Sequence, residues 1–301
     1  MIKQVTGTEK GRERVVKSIV GKVTVTEQQA QILGLKPYSQ LSPLFEKNCL
    51  LLSANESFQD SEKDMEALTG IKVSHSTLQR LVQRQEYSEP QTLQGVSEVS
   101  IDGGKVRLRS GNKGVESYWR DYKAVRLQGI YYGAFFQDNL SLTDWVNSQR
   151  LLYPQGYLGD GHDRVWNLFQ EIGSTAQRQE ILDWYHLKEN LYKVGGSLKR
   201  LKAAETFLWQ GQIESASALF VGLTKKSAQN FINYLKKHSL RIVNYQYFSQ
   251  EGLCSIGSGS VESAVKLLGK RLKISGAQWK LENVARILQL RSAYLNGQLT
   301  A

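Results

Sequence analysis

The sequence predicts an α/β fold, with a core interrupted by an all-helical insertion and preceded by a small helical helix-turn-helix region. Three observations carry the prediction. Apolar and polar residues begin to alternate with period two near Val96, and strand-like and helix-like runs then follow one another from Gly156 to Trp184. From Leu187 to about Leu240 apolar residues such as Leu198, Leu201, Ala204, Phe207 and Leu208 recur at helical spacing with basic residues between them.

In chain order, the pattern divides into five segments. Residues 1–58 are mixed, with a β-prone run from Val15 to Val25 and a helical stretch punctuated by Pro37 and Pro43. Residues 59–95 hold two short helices, Ser61 to Leu68 and Ser74 to Gln85, followed by a linker from Glu86 to Gly95. Gly70 can take the positive φ that closes the first helix, and Ser74 or Ser76 can cap the second. Leu78, Leu81 and Val82 pack inward, which leaves Gln79, Arg80, Gln83 and Arg84 outside. Such side chains on a second helix suit the DNA major groove, although any pair of packed helices has the same outline.

Residues 96–186 form the first part of the core. The alternations around Val99 and Ile101, around Val106 and Leu108, and from Tyr122 to Tyr132 predict a three-strand meander. A helix near Trp145, a strand over 156–159, a helix over 165–172 and a fifth strand over 180–184 complete it. Residues 187–255 form the helical insertion. Residues 256–301 return to the core with helices from Glu262 to Lys273 and from Leu281 to Leu295.

Composition narrows the function. With 301 residues, 41% of them hydrophobic, the chain can fill a sizeable core. Lys and Arg outnumber Asp and Glu by 39 to 28, a net charge of +11, which suits a polyanionic partner such as nucleic acid or a plain basic enzyme surface. Cys49 and Cys254 stand far apart with no CxxC or Cys/His cluster, so neither a disulfide framework nor a zinc finger is indicated. No apolar run approaches the roughly 20 residues of a membrane span, and the N-terminus lacks an apolar signal core. A soluble cytoplasmic protein is expected. The Gly257-Ser258-Gly259-Ser260 run lacks the Lys-Ser/Thr of a phosphate loop, which argues against an ATPase.

The acids are the most informative residues. Asp102 follows Val99-Ser100-Ile101 and precedes Gly103-Gly104; Asp160 lies between Gly159 and Gly161; Glu262 follows Gly259-Ser260-Val261 at a helix start. The first two are expected where a strand gives way to a turn. Three acids converging from separate elements supply the oxygen ligands that a pair of hard cations needs for phosphoryl transfer. Asp163 is the nearest rival; Asp121, Asp138 and Asp144 sit in strand, turn or cap contexts. After Glu262, Lys266 and Lys270 recur every four positions on one helix face, with Arg271 and Lys273 adding charge nearby. They could track phosphates, or Glu262 and Lys266 could form a plain ion pair. Trp166, Trp184, Trp209 and Trp279 read as packing residues before stacking platforms.

These motifs, taken with Asp183-Trp184-Tyr185-His186, resemble an ISKra-type bacterial insertion-sequence transposase, within the DDE transposases of the RNase H and retroviral integrase superfamily. The likeness spans nearly the whole chain and rests on order and spacing: 58 positions separate Asp102 from Asp160, and 102 separate Asp160 from Glu262, room for an insertion as in Mutator-like and hAT transposases. The resemblance implies an RNase H-like core and a DDE triad of Asp102, Asp160 and Glu262 holding two Mg²⁺ or Mn²⁺ ions. Asp183 and His186 match the C/D-x-x-H signature, with His186 contacting a phosphate or orienting a carboxylate, or else capping its helix. Double-stranded DNA is the implied partner, as transposon ends and as target, and a homodimer would hold two ends together. Family members often carry an N-terminal cysteine-rich region that this chain lacks. A catalytically silent, transposase-derived DNA-binding protein is therefore the alternative expectation.

Overall fold

β-Branched residues are dense from Glu13 to Thr26, and after a short helix α1 (Ile2–Thr6) this run folds into an antiparallel hairpin of β1 (Glu13–Ser18) and β2 (Gly21–Thr26). The computed structural model describes residues 2–111, 114–257 and 259–299, with only the backbone at Gln177, Ser260, Val261 and Glu262. Thr26 and Gln29 form a reciprocal capping box that starts α2 (Glu27–Ile32). Three helices follow: α3 (Pro43–Asn55), α4 (Phe58–Thr69) and α5 (His75–Arg84). Ser42, Ser57 and Ser74 cap them by accepting the N–H three residues on, and Gly70 ends α4 in the left-handed region at φ 66°. The two short helices predicted for this segment are present, with Leu78, Leu81 and Val82 buried.

The chain then builds a five-strand sheet from β3 (Val96–Leu108), β4 (Tyr118–Leu127), β5 (Tyr131–Phe135), β6 (Leu151–Gly159) and β7 (Arg178–Leu182), in the order β5-β4-β3-β6-β7. β4 and β5 are antiparallel, while β3, β6 and β7 run parallel. Helix α6 (Asn139–Asn147) leads into β6 and α7 (Asp163–Gln170) connects β6 to β7. The fold is thus mixed α/β. Two predicted strand limits shift. Gly103-Gly104 does not end the first strand, because the Tyr122 ring occupies the place where a Gly104 side chain would stand, and β3 runs through to Leu108. The run from Tyr122 to Tyr132 breaks instead at Gln128 and Gly129, both at positive φ.

Beyond β7 the chain is helical: α8 (Trp184–Tyr192), α9 (Leu198–Trp209), α10 (Ile213–Ala218), α11 (Lys226–Lys237), α12 (Tyr245–Gln250), α13 (Gly259–Leu272) and α14 (Leu281–Leu295). Among the described residues no helix is long and apolar enough to cross a membrane. The chain forms two compact units that cut across the five sequence segments: Met1–Ser88 with Arg107–Ser117 and Lys270–Ala301, and Glu89–Val106 with Tyr118–Gly269. In the first, the last-turn carbonyls of α3 accept two guanidinium groups, Arg271 Nε on Ser53 O at 2.7 Å and Arg291 Nη1 on Ala54 O at 3.2 Å. Cations at a helix C-terminus satisfy its orphan carbonyls and oppose its dipole. In the second, sheet and insertion share one apolar core that includes Ile101, Leu158, Phe169, Leu182, Leu208 and Leu235.

Candidate active site

β3 is the central strand, and its residues from Val99 to Ile101 are buried on both faces. Cover ends at Asp102, which is half-buried. Parallel pairing sets Ser100 opposite Leu158 and Gly159 opposite Leu182. Continued by two residues and by one, that register puts Asp102, Asp160 and Asp183 in one row across β3, β6 and β7, where β6 and β7 end. Asp160 stands at a strand end as predicted, whereas Asp102 lies inside a strand.

Backbone groups fix the acids. The Gly103 N–H donates to Asp102 Oδ1 at 2.6 Å and the His162 N–H to Asp160 Oδ1 at 3.0 Å. Asp183 is fully buried and caps α8, its Oδ1 accepting the His186 N–H at 2.8 Å. The His186 ring stands 3.9 Å from the Glu189 carboxylate on the same helix. Around Asp102 lie Lys123, whose Nζ is 3.7 Å from where a Gly103 Cβ would stand, and the buried Tyr122. Burial and then the Asp102 charge push the Tyr122 phenol above its usual range.

The third predicted acid, Glu262, lies on α13, and its side chain falls outside the described residues. Its surroundings are described on both sides. Before it, the buried Glu98 accepts the Ser255 N–H at 2.7 Å, the Trp184 N–H donates to Ile256 O at 3.0 Å, and a Gly257 Cβ would stand 3.7 Å from Asp183 Oδ2. After it, the Tyr122 hydroxyl donates to Val265 O at 3.1 Å. The chain flanking Glu262 is therefore tied to the residues around Asp183 and Asp102. Among the described residues, no three His, Cys, Asp or Glu side chains converge on a metal-sized site.

The insertion contributes residues that the sequence reading missed. Tyr234 and His238 of and after α11 approach Gly161, beside Asp160. Burial, with the Asp160 charge behind it, raises the Tyr234 phenol. His238 is 1% exposed, its Nδ1 has no hydrogen-bond partner, and burial followed by Arg241 and Lys237 holds its pKa at about 4 against an ordinary 6.5. Within that window the unfolded chain takes up a proton that the folded chain refuses, so His238 costs stability as pH falls from about 6.5 to about 4. Thermal unfolding of His238→Gln at pH 7 and pH 4.5 should show a smaller loss on acidification than the native chain.

Several other predicted residues are now placed. Asp163, the rival acid, is exposed and bonded to Lys237 at 2.7 Å, and Asp121 is 3.4 Å from Arg164. Asp138 caps α6. Trp166, Trp184 and Trp279 are buried and Trp209 half-buried, in packing roles; Trp184 stacks edge-on against Trp209 at 4.9 Å. The thiols of Cys49 and Cys254 are pushed up to about 12 by burial, which suits neither nucleophiles nor ligands.

Of the predicted DNA-binding residues, Arg80 and Arg84 of α5 are exposed, as are Lys266, Lys270 and Lys273. Gln83 is exposed too and donates to Asn283 Oδ1 at 2.8 Å, whereas Gln79 is half-buried. Arg271 corrects the expectation of an exposed phosphate contact. It is 2% exposed, because it lies about 100° round the helix from Lys270 and turns inward to serve the α3 carbonyls. Burial, then repulsion from Arg291, lowers its pKa to about 10.

No protein-family model matches the chain. A relative from Streptococcus gallolyticus, described as "UPF0236 protein in vanSb 3'region", is 23% identical over 301 aligned positions, which cover 88% of this chain and 66% of the relative. The chain thus spans slightly less than two thirds of that relative's length.

Proposed function

We propose that this chain is a metal-dependent DNA transposase of the DDE type, built on an RNase H-like core. The observation that carries the reading is the row formed by Asp102 and Asp160 on adjacent parallel strands at the middle of the sheet. Counted within the sheet, the strand order is third-second-first-fourth-fifth, a hairpin continued on its other side by two parallel strands, which supports an RNase H-like reading.

The residues fit a hard divalent cation. Carboxylate oxygens are the ligands that Mg²⁺ and Mn²⁺ prefer, and one oxygen of each acid is oriented by a backbone N–H. Asp102, Asp160 and Glu262 would hold the ions. When bound, two such ions supply charge neutralisation and activation of the attacking oxygen for in-line displacement at phosphorus. The chain's own part is to hold the acids in register, to fix α13 through Glu98 and Tyr122, and to cap α8 with Asp183. His186, at the first turn of α8, would contact a phosphate of the DNA. Arg80, Arg84, Lys266, Lys270 and Lys273 would bind the backbone of double-stranded DNA, the element ends and the target, with a homodimer joining two ends.

The test is strand cleavage of DNA carrying the flanking element ends, with Mg²⁺ or Mn²⁺ and with excess EDTA. Cuts at the ends that require the metal support the reading. Salt-sensitive binding with no metal-dependent cut would favour the silent DNA-binding alternative.

A further inference from the structure

Beside α5, inside the first unit, lies a cleft of about 410 Å³. Arg109, Arg271 and Lys280 line it with Gln79, Asn283 and the turn from Ile274 to Trp279, and no Asp or Glu is among its described lining residues. The Arg271 side chain is held on three sides: its Nε donates to Ser53 O at 2.7 Å, and the rings of Phe58 and Trp279 each lie 4.9 Å from its guanidinium carbon. Its Nη2 is buried and has no hydrogen-bond partner. A buried guanidinium N–H without an acceptor is a rare and costly state, and an oxyanion would relieve it.

A further feature favours an anion in the cleft. Helix α14 begins just after the lining residue Lys280, which makes no side-chain capping bond, so its positive end favours an anion there although the Glu282 carboxylate takes one first-turn N–H. Two carboxylates beside the cleft offset part of this charge, Glu282 at 3.5 Å from Lys280 and Glu56 acting on Arg271, and neither bonds Arg271 Nη2. Three cations around a polar concavity, two of them planar guanidinium forks, match a tetrahedral oxyanion carrying more than one oxygen acceptor.

We propose that this cleft is a phosphate-binding site, distinct from the acidic row, that takes either a backbone phosphate of DNA lying along α5 or the phosphate of a free ester. It does not depend on the nuclease reading, because phosphate binding is measured without cleavage.

The experiment titrates inorganic phosphate into the full chain at constant ionic strength set by chloride and follows thermal unfolding. Three proteins are compared: native, Arg109→Gln/Lys280→Gln, and Arg12→Gln/Lys22→Gln, which loses the same charge from exposed positions away from the cleft. Arg271 is left intact because its removal would strip α3 of a cap. A saturable rise in Tm is expected for the native chain and the Arg12/Lys22 variant, and its loss in the Arg109/Lys280 variant. No saturable rise in the native chain, or the same rise in all three, would overturn the site. Binding of a short DNA duplex across a salt series then identifies the source. If DNA supplies the phosphate, the slope of log affinity against log salt should shrink by about 1 to 2 in the cleft variant relative to the control variant, about 0.9 per lost contact. An unchanged slope with lost phosphate binding assigns the cleft to a free phosphate ester.

Discussion

Asp160→Asn should lower metal-dependent strand cleavage by more than about a hundredfold, some 2.7 kcal/mol of transition-state stabilisation, and leave the fold intact. The amide keeps an oxygen acceptor for the His162 N–H, so the turn after β6 retains its hydrogen bond while a ligand charge is lost. Asp102→Asn should behave alike, since the Gly103 N–H keeps its acceptor. The informative comparison is Asp163→Asn, three residues on. That acid is exposed and bonded to Lys237, so its replacement should change cleavage by less than about threefold, because an exposed ion pair contributes only about 0.2–1 kcal/mol. Equal losses from Asp160→Asn and Asp163→Asn would show that general surface charge, not the row of acids, is what the cleavage requires. Cleavage rates at matched protein folding and salt make the comparison.

Gly104→Ala should destabilise the fold by about 1–3 kcal/mol through overpacking, a Tm lower by roughly 2–4 °C for each kcal/mol. The new Cβ would fall on the buried Tyr122 ring, whose hydroxyl holds Val265 O on α13. Either the ring or β3 must shift, and both position the site: the ring ties α13 and β3 carries Asp102. Gly103→Ala is the matched control. Its Cβ would meet nothing nearer than Lys123 Nζ at 3.7 Å, an ordinary contact, so its Tm should stay within about a degree of native, as expected for a surface change of under about 0.5 kcal/mol. Thermal unfolding of the two variants side by side decides the matter, and similar losses would mean that the strand itself, and not the Tyr122 contact, resists a side chain.

What the sequence revealed follows from how local each signal is. Ser74 as a cap and Gly70 as a helix end were legible because capping chemistry involves residues within one turn. The limits of the meander were not. Gly103-Gly104 reads as a break, yet the strand continues because a tyrosine from the next strand fills the space; conversely, Gln128 gives no hint that its φ is 52°. The sequence offers Asp102, Asp160 and Glu262 as converging acids, but only strand register sets Asp102, Asp160 and Asp183 in one row. Tyr234 and His238 carried no signal, since the insertion brings them to Gly161 from more than 70 positions away. Arg271 was misread although the helix angle already separates it from the face of Lys266 and Lys270.

Localised cleavage of the protein backbone tests whether Asp102, Asp160 and Glu262 hold a divalent cation. Fe²⁺ substituted for Mg²⁺, with ascorbate and peroxide, generates hydroxyl radicals that cut the chain next to the bound ion. Cuts should cluster near residues 102, 160 and 262, be suppressed by excess Mg²⁺ and be lost in Asp102→Asn and Asp160→Asn. Cuts scattered along the chain, or a cluster elsewhere that both variants retain, would contradict it.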